Sequence, residues 1–168
     1  KMSKPIVAII GKPNVGKSTF YNYLVGSRIS IVEDTPGVTR DRVYGETNWR
    51  GRSFTLIDTG GIEPESEDII LSQMREQANL AMETADVIIF LVDGKEGITS
   101  NDLVVKEMLL RQNKKVIVAI NKVDSKESRE HLYDFYELGF EHYVNVSGEQ
   151  GDGISELLDL VCEDFNEI

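Results

Sequence analysis

Three short apolar runs constrain the fold of this chain more than any other feature. They occupy Ile6–Ile10, Val87–Val92 and Val116–Ile120, are rich in valine and isoleucine, and show no alternation of polar and apolar residues. Strands covered on both faces have this pattern, and such strands lie in the centre of parallel sheets. Short buried helices are the alternative, but the short length of the runs and their β-branched side chains favour strands.

Segments with the apolar spacing of amphipathic helices separate and follow these runs. Each of them is expected to pack one face against the sheet. The predicted helices are Lys17–Val25, Gln73–Glu83, Asn101–Arg111, Ser128–Leu138 and Ile154–Phe165, and a further strand is predicted over Tyr143–Val146.

One segment departs from the alternation of strands and helices. Arg42–Trp49 and Ser53–Asp58 flank Arg50-Gly51-Arg52, which predicts a tight hairpin turn. The order of elements therefore indicates an α/β fold with a doubly wound, mostly parallel sheet and one antiparallel edge strand. The chain of 168 residues fits a single domain over residues 1–168. The glycine- and acid-rich stretch Ile62–Ile70 is a candidate mobile loop.

A phosphate-binding motif connects the first predicted strand to the first predicted helix. Gly11-Lys12-Pro13-Asn14-Val15-Gly16-Lys17-Ser18 matches the pattern Gly-x-x-x-x-Gly-Lys-Ser/Thr, and its position between strand and helix argues against a chance match. The two glycines let the backbone wrap around a polyphosphate, so that successive N–H groups meet its oxygens. Lys17 would reach the outer phosphates, and the Ser18 hydroxyl would bind Mg²⁺. The predicted phosphate contacts are Gly11, Asn14, Val15, Gly16, Lys17, Ser18 and Thr19. In an empty loop Lys17 is expected to be solvated.

The loop after the third apolar run predicts which base is bound. Asn121-Lys122-Val123-Asp124 places a carboxylate where it can accept hydrogen bonds from both N1–H and N2–H₂ of guanine, whereas adenine presents a lone pair at N1. The Lys122 stem can cover the ring, and Asn121 can tie this loop to the phosphate-binding loop. An ordinary polar turn is the alternative, but the position beyond a phosphate-binding motif favours guanine.

A second loop is a weaker candidate for base recognition. Ser147 and Gly148 follow the strand Tyr143–Val146, where a backbone N–H could contact the guanine carbonyl. This prediction depends on the stronger motifs before it.

Two further segments are candidates for sensing the terminal phosphate. Asp58-Thr59-Gly60-Gly61 ends the predicted hairpin; its carboxylate can hold Mg²⁺ through water, and the Gly61 N–H can meet the terminal phosphate. Thr39 precedes the hairpin, and its hydroxyl is a candidate second protein ligand for Mg²⁺. Plain turns are the alternative, but both segments lie between the phosphate-binding and guanine loops.

These motifs, in this order, resemble the Ras-like GTPase superfamily over nearly the whole chain. The detailed sequence within and around the motifs is similar to that of the first GTPase domain of the EngA family, also called Der. The similar segments are Lys12–Ser18, Ile31–Arg42, Tyr44-Gly45, Trp49 and Leu56–Gly61. The resemblance implies a bacterial protein with two tandem GTPase domains and a C-terminal KH-like domain, which binds the ribosome and assists large-subunit assembly. This chain would then be an N-terminal fragment that binds GTP or GDP with Mg²⁺.

The resemblance also bears on how hydrolysis proceeds. Ras-like enzymes orient the attacking water with a glutamine after Asp-x-x-Gly, and Ile62 stands at that position. In related GTPases an asparagine at the place of Asn14 coordinates K⁺, which supplies a positive charge against the phosphates. The alternative is that Asn14 only shapes the loop. The residues implied in catalysis are Lys17, Asn14, Thr39 and Gly61.

Charge and composition limit the partners of the chain. A net charge of −11 argues against direct nucleic-acid binding by this domain, so ribosome contact is expected through the full-length protein. No apolar run approaches the roughly 20 residues of a membrane span, so no membrane association is expected. Cys162 is the only cysteine and lies on an apolar helical face, which predicts a buried thiol and fits a cytoplasmic protein.

Two other functions remain open. The domain could bind guanine nucleotides as a switch with negligible hydrolysis, which Ile62 favours. It could also come from a relative in the same superfamily that serves tRNA modification or small-subunit assembly, although Val38–Arg42 and Tyr44-Gly45 argue against this.

Overall fold

Strands and helices alternate along the chain, as the sequence pattern predicts. The computed structural model describes residues 4–12, 15–25, 27–33, 42–58, 67–122, 126–147 and 151–166. The strands are β1 Ile6–Gly11, β2 Ser27–Glu33, β3 Arg42–Trp49, β4 Arg52–Asp58, β5 Val87–Asp93, β6 Lys115–Asn121 and β7 His142–Val146. The helices are α1 Lys17–Leu24, α2 Glu67–Thr84, α3 Ser100–Leu110, α4 Lys126–Tyr136 and α5 Ile154–Cys162.

The described strands form one sheet in the order β2-β3-β4-β1-β5-β6-β7. β1 pairs in parallel with β4 and β5, and the parallel ladder continues through β6 to β7. β3 runs antiparallel to both of its neighbours. The doubly wound, mostly parallel sheet predicted from sequence is therefore confirmed.

Strand β2 was not predicted from the sequence. It pairs with β3, so β2 forms the edge of the sheet and the antiparallel strand β3 lies second from the edge. The segment Ser27–Glu33 mixes polar and apolar residues and lacks the long apolar run of the central strands. An edge strand depends on pairing with a neighbour rather than on burial of both faces, and its own sequence therefore indicates it weakly.

The predicted hairpin is present with a turn of two residues between β3 and β4. Arg50 and Gly51 both have positive φ angles, of 50° and 81°, as a type I′ turn requires. Beside this turn, the indole Nε1 of Trp49 donates to Asp159 of α5 at 2.8 Å, and Nε of Arg52 donates to the backbone oxygen of Phe165 at 2.9 Å. The hairpin tip is thereby joined to the C-terminal helix.

Each face of the sheet buries its own apolar cluster. Because side chains alternate along a strand, Val7 and Ile9 of β1 face α1 and α5, whereas Ala8 and Ile10 face α2, α3 and α4. Cys162 lies in the first cluster with 1% of its surface exposed, so the prediction of a buried thiol is confirmed.

The first residues of α2 and α3 differ from the sequence prediction or extend it. α2 begins at Glu67, so the expected loop over Ile62–Ile70 is wrong for residues 67–70, while the earlier part lies outside the described residues. α3 begins with a capping box in which the side chains of Thr99 and Asp102 each accept a hydrogen bond from the other residue's backbone N–H group.

Within the described part of the chain, no helix combines the length and apolarity that crossing a bilayer requires.

Candidate functional site

The loop between β1 and α1 presents the uncapped end of a helix at the carboxyl edge of the sheet. Gly16 is the N-cap of α1, has a φ of 87°, and provides no side-chain hydrogen bond to the first turn. A helix N-terminus without a side-chain cap can direct the backbone N–H groups of its first turn, here from Lys17 through Thr19, to acceptors outside the helix. An anion at the helix N-terminus would supply them, which fits the predicted phosphate contacts. Pro13 and Asn14 of this loop lie outside the described residues.

Two buried opposite charges lie at the start of α1. The Nζ atom of Lys17 is 3.1 Å from Oδ1 of Asp58, and their side chains are only 3% and 8% exposed. β4 pairs in parallel with β1, with Asp58 beside Ile9, and this register brings Asp58 to the helix terminus. The expectation that Lys17 is solvated in an empty loop is wrong, because the ammonium group is buried against this carboxylate.

The predicted base-recognition loop is tied to the predicted phosphate-binding loop by a buried hydrogen bond. Asn121, the last residue of β6, donates from Nδ2 to the backbone oxygen of Val15 at 2.8 Å and is 4% exposed. A Cβ atom on Gly16 would lie 3.0 Å from the same nitrogen, so the glycine allows this close approach. The link between the two loops that the sequence analysis expected is therefore present.

Lys122 follows Asn121 with a backbone conformation that is rare outside glycine. Its φ is 65°, and its Nζ atom lies 3.3 Å from Oδ2 of Asp93 at the end of β5. The other oxygen of Asp93 accepts backbone N–H groups from Lys95 and Glu96, at 2.9 and 3.2 Å. The loops after β5 and β6 are thus joined by one carboxylate. Asp124 lies outside the described residues.

The candidate loop after β7 is held by its own backbone. Ser147 is 7% exposed, and its N–H donates to the backbone oxygen of Asp152 at 2.9 Å. Because this N–H is already used, a donor to a guanine carbonyl would have to come from a later residue of the loop. Gly148, the next predicted contact, lies outside the described residues.

Two contacts of the phosphate-binding loop were missed by sequence reasoning. The N–H of Gly11 donates to Oε1 of Gln77 in α2 at 3.1 Å, and Gln77 is 2% exposed. Lys12 forms an ion pair with Glu96 after β5. A polar residue among the core-facing positions of α2, beside Met74 and Ala78, is the sequence signal that could have identified Gln77.

The remaining predicted residues are placed only in part. Ser18 belongs to the first turn of α1, and Thr19 is exposed on the same turn. Thr39, Thr59, Gly60 and Gly61 lie outside the described residues. The structure thus brings together Gly11, Val15, Gly16, Lys17, Asp58, Asn121 and Lys122 at one edge of the sheet.

Comparison with known families agrees with this arrangement. A model of the family described as "50S ribosome-binding GTPase" matches residues 6–122, which include β1 through β6 and every described loop named above except the one after β7. The chain belongs to the 50S ribosome-binding GTPase family. A match of this extent covers the whole predicted phosphate-binding motif and the first two residues, Asn121 and Lys122, of the predicted guanine-recognition motif.

Similarity to individual proteins shows which members of this family the chain resembles. The chain is 60% identical over 165 residues to GTPase Der of Alkaliphilus oremlandii, an alignment that covers 98% of this chain and 38% of the relative. GTPase Der of Acetivibrio thermocellus is 58% identical over 167 residues, with 99% and 38% covered. The resemblance to the EngA/Der family is confirmed, and the chain spans 38% of the length of these relatives.

A solved structure gives the same fold. Era in complex with MgGDPNP and a 16S ribosomal RNA segment superposes with a TM-score of 0.75 at 34% identity, covering 100% of this chain and 59% of Era. The Ras-like GTPase fold predicted from the sequence is thereby confirmed.

Proposed function

We propose that this domain binds GTP and GDP and hydrolyses GTP to GDP and phosphate. The observation that carries the proposal is the buried Lys17 ammonium group, 3.1 Å from Asp58 at the uncapped start of α1. A buried cation at a helix N-terminus that has no side-chain cap forms a site for a polyanion. Membership of a GTPase family supports the same conclusion.

Phosphate binding would exchange the partner of Lys17. In the structure the ammonium group is neutralised by Asp58. The phosphates of the nucleotide would take over Lys17 as point-charge ligands, and the N–H groups from Gly16 to Thr19 would donate to their oxygens. Asp58 would then be available to a cation on the other side of the phosphates.

The residues around Asp58 fit a magnesium ion. Mg²⁺ prefers hard oxygen ligands and keeps several waters, and a buried carboxylate beside a hydroxyl-bearing helix start supplies such ligands. Ser18 and Thr39 would hold the ion directly and Asp58 through a water. When bound, Mg²⁺ would neutralise charge on the phosphate oxygens. The Era structure that shares this fold contains MgGDPNP, which supports this assignment.

Guanine would be recognised at the ends of β6 and β7. Asp124 would accept the two donors of the base edge, and the Lys122 stem would cover the ring. Asn121 holds this loop against Val15, so base and phosphate recognition are rigidly connected. Gly148 would offer a backbone N–H to the guanine carbonyl, since the N–H of Ser147 is bonded to Asp152.

Hydrolysis would depend on positioning and charge rather than on a general base. Lys17 would stabilise the charge that develops on the phosphates, and the N–H of Gly61 would orient the terminal phosphate, while Thr39 would contribute as a ligand of Mg²⁺. The amide oxygen of Asn14 would coordinate K⁺, which would add positive charge at the phosphates. Ile62 cannot bind the attacking water, so we expect slow hydrolysis by the isolated domain.

Ile62 also supports a second candidate function, a guanine-nucleotide switch with negligible hydrolysis. Single-turnover phosphate release in MgCl₂ and KCl, with GTP and with ATP, separates the two candidates. We expect GDP to compete with GTP, ATP to bind far more weakly, and GTP to be converted to GDP. Binding of GTP without any release of phosphate would support the switch, and equal binding of ATP would contradict the proposed guanine site.

The role of the whole protein is a further part of the proposal. We propose that the chain is the first of two GTPase domains followed by a KH-like domain, since it spans 38% of the length of GTPase Der relatives. The complete protein would act in the cytoplasm in assembly of the large ribosomal subunit. With a net charge of −11, this domain would leave contact with RNA to the other parts of the protein.

Reading the complete gene tests this organisation. A second Gly-x-x-x-x-Gly-Lys-Ser/Thr motif downstream is expected. A gene that ends shortly after residue 168 would contradict the two-domain organisation and would favour a different relative of the superfamily.

A further inference from the structure

A buried hydroxyl lies on the same helix as Lys17 of the proposed site. Tyr21 is one turn after Lys17 on α1, and its side chain is 4% exposed. Its Oη atom is fully buried and has no hydrogen-bond partner within the described part of the chain. A buried hydroxyl that donates no hydrogen bond is unfavourable, so native proteins rarely retain one without a reason.

The space for this hydroxyl depends on a glycine in β3. A Cβ atom on Gly45 would lie well inside van der Waals distance of Tyr21 Oη and 2.8 Å from Cγ2 of Val25. Gly45 is two residues from Val43, and Val43 pairs with Asp58 across the hairpin. The glycine therefore makes room for the phenol hydroxyl beside β3, two residues from the position that pairs with Asp58.

The charge of Asp58 acts on this phenol. Burial, and after it the negative charge of Asp58, raise the pKa of Tyr21 to about 12. Tyr21 therefore keeps its proton and can act as a hydrogen-bond donor. In the structure the Asp58 carboxylate is engaged by Lys17, at 3.1 Å.

We propose that Tyr21 is a positioning residue for Asp58 in the nucleotide-bound domain. When phosphates draw the Lys17 ammonium group away, the Tyr21 hydroxyl donates a hydrogen bond to the carboxylate and holds it in place. A donor to the charged form of a carboxylate stabilises that form in a buried site. This inference rests on the proposed function, because it requires phosphates at Lys17 and Mg²⁺ at Asp58.

Tyr21→Phe removes the hydroxyl and keeps the ring. We expect the Mg²⁺ concentration that half-saturates binding of fluorescent GDP to rise roughly tenfold, the size of one lost hydrogen bond to a charged group. GDP affinity in EDTA should change less than about twofold. The melting temperature of the nucleotide-free protein should be equal or higher, because a hydroxyl without a partner has been removed.

Thr47→Val is the matched control. Thr47 lies two residues from Gly45 on the same face of β3, is 5% exposed, and has an Oγ1 atom without a partner among the described residues. We expect this variant to leave the Mg²⁺ requirement at the parent value. Gly45→Ala crowds the Tyr21 hydroxyl, so by itself it should raise the Mg²⁺ concentration that GDP binding requires. In a protein that already carries Tyr21→Phe, the same substitution should change that concentration little.

The outcomes separate this inference from the proposed function. An unchanged Mg²⁺ requirement in Tyr21→Phe, or an equal rise in Thr47→Val, would overturn the positioning role while GDP binding stands. A lower melting temperature of nucleotide-free Tyr21→Phe with an unchanged Mg²⁺ requirement would assign Tyr21 to packing alone. Failure of the parent to bind GDP at all would contradict the proposed function and this inference with it.

Discussion

The side-chain amide of Asn121 donates a 2.8 Å hydrogen bond to the backbone carbonyl of Val15, across 106 residues of the chain. Asn121 ends β6 and Val15 lies in the loop before α1. The bond is buried, since Asn121 is 4% exposed. It joins the loop proposed to bind guanine to the loop proposed to bind phosphate, so the two halves of a nucleotide would meet a single preformed surface.

Asn121→Ala should weaken both the fold and nucleotide binding. The Val15 carbonyl would lose its donor in a buried place, and we expect the free energy of unfolding to fall by about 1–3 kcal/mol. GDP affinity should fall by roughly tenfold or more, because the loops are no longer held together. Urea unfolding and fluorescent GDP titration measure the two effects. Asn113→Ala, at an exposed position, is the control, and unchanged GDP affinity in Asn121→Ala would contradict the linking role.

Lys17→Ala should destabilise the nucleotide-free protein, contrary to the expectation from sequence. The substitution leaves the Asp58 carboxylate buried without its cation, and breaking such a pair costs on the order of 3–5 kcal/mol. The binding free energy of GDP should also become several kcal/mol less favourable, because one cation facing two phosphates is lost. Lys4→Ala breaks the exposed pair with Glu46 and should change stability by less than about 1 kcal/mol. Equal stability losses in both variants would show that the burial of Lys17 is unimportant.

Asp124→Asn should change the base that is bound. The amide replaces one acceptor oxygen with a donor, which suits the carbonyl that xanthine carries at C2. We expect GDP affinity to fall by several orders of magnitude and affinity for xanthosine diphosphate to rise. Competitive titration of both nucleotides is the measurement. A variant that still prefers guanine would show that the base is recognised elsewhere.

K⁺ should accelerate GTP hydrolysis relative to Na⁺ by roughly 10–100-fold, at the lower end of electrostatic effects on catalysis. A cation against the phosphates stabilises the transition state more than the ground state, because charge develops there. Na⁺ is smaller and fits a site sized for K⁺ poorly. Asn14→Ala should abolish the difference and retain most of the GTP affinity.

Single-turnover hydrolysis at matched ionic strength in KCl and NaCl measures this effect. Equal rates of the parent in the two salts would rule out the cation. A K⁺ effect that persists in Asn14→Ala would keep the cation and remove Asn14 as its essential ligand.

The buried thiol should make stability depend on pH above neutrality. Burial raises the pKa of Cys162 from 9.0 to about 11, so the native protein holds the thiol proton over a range in which the unfolded chain loses it. The stabilisation is therefore complete below pH 9 and is lost as the pH rises towards 11. Urea unfolding of the parent and of Cys162→Ala at a series of pH values measures it. The stability difference between them should shrink over this interval, and a constant difference would contradict the prediction.

Most of the fold follows from local patterns in the sequence. The apolar runs that became β1, β5 and β6 are strands because both of their faces are covered, and this leaves an uninterrupted apolar signature. The hairpin was predictable because Arg50-Gly51-Arg52 separates two segments typical of strands, although β4 already begins at Arg52 and leaves a turn of two residues. β2 was missed because an edge strand owes its structure to its partner β3.

The residues of the candidate site also fall into those that local sequence patterns predict and those that they do not. The motifs around Lys17 and Asn121 were identifiable because their chemistry requires particular residue types at particular spacings. Gln77 was missed. Its place among the core-facing positions of α2 marks it as a buried polar residue, but its bond to Gly11 arises only when α2 packs beside β1.

The sequence alone therefore predicted which loops would carry the phosphate and base chemistry, and determined that they follow parallel strands at their carboxyl ends. Tertiary structure decided the state of their charged groups. The pairing of Lys17 with Asp58 depends on the register of β4 beside β1, and the burial of the Tyr21 hydroxyl depends on the space beside Gly45. Burial and electrostatic environment are set by residues distant in the chain, so no local pattern around Lys17 could have shown that its ammonium group is buried.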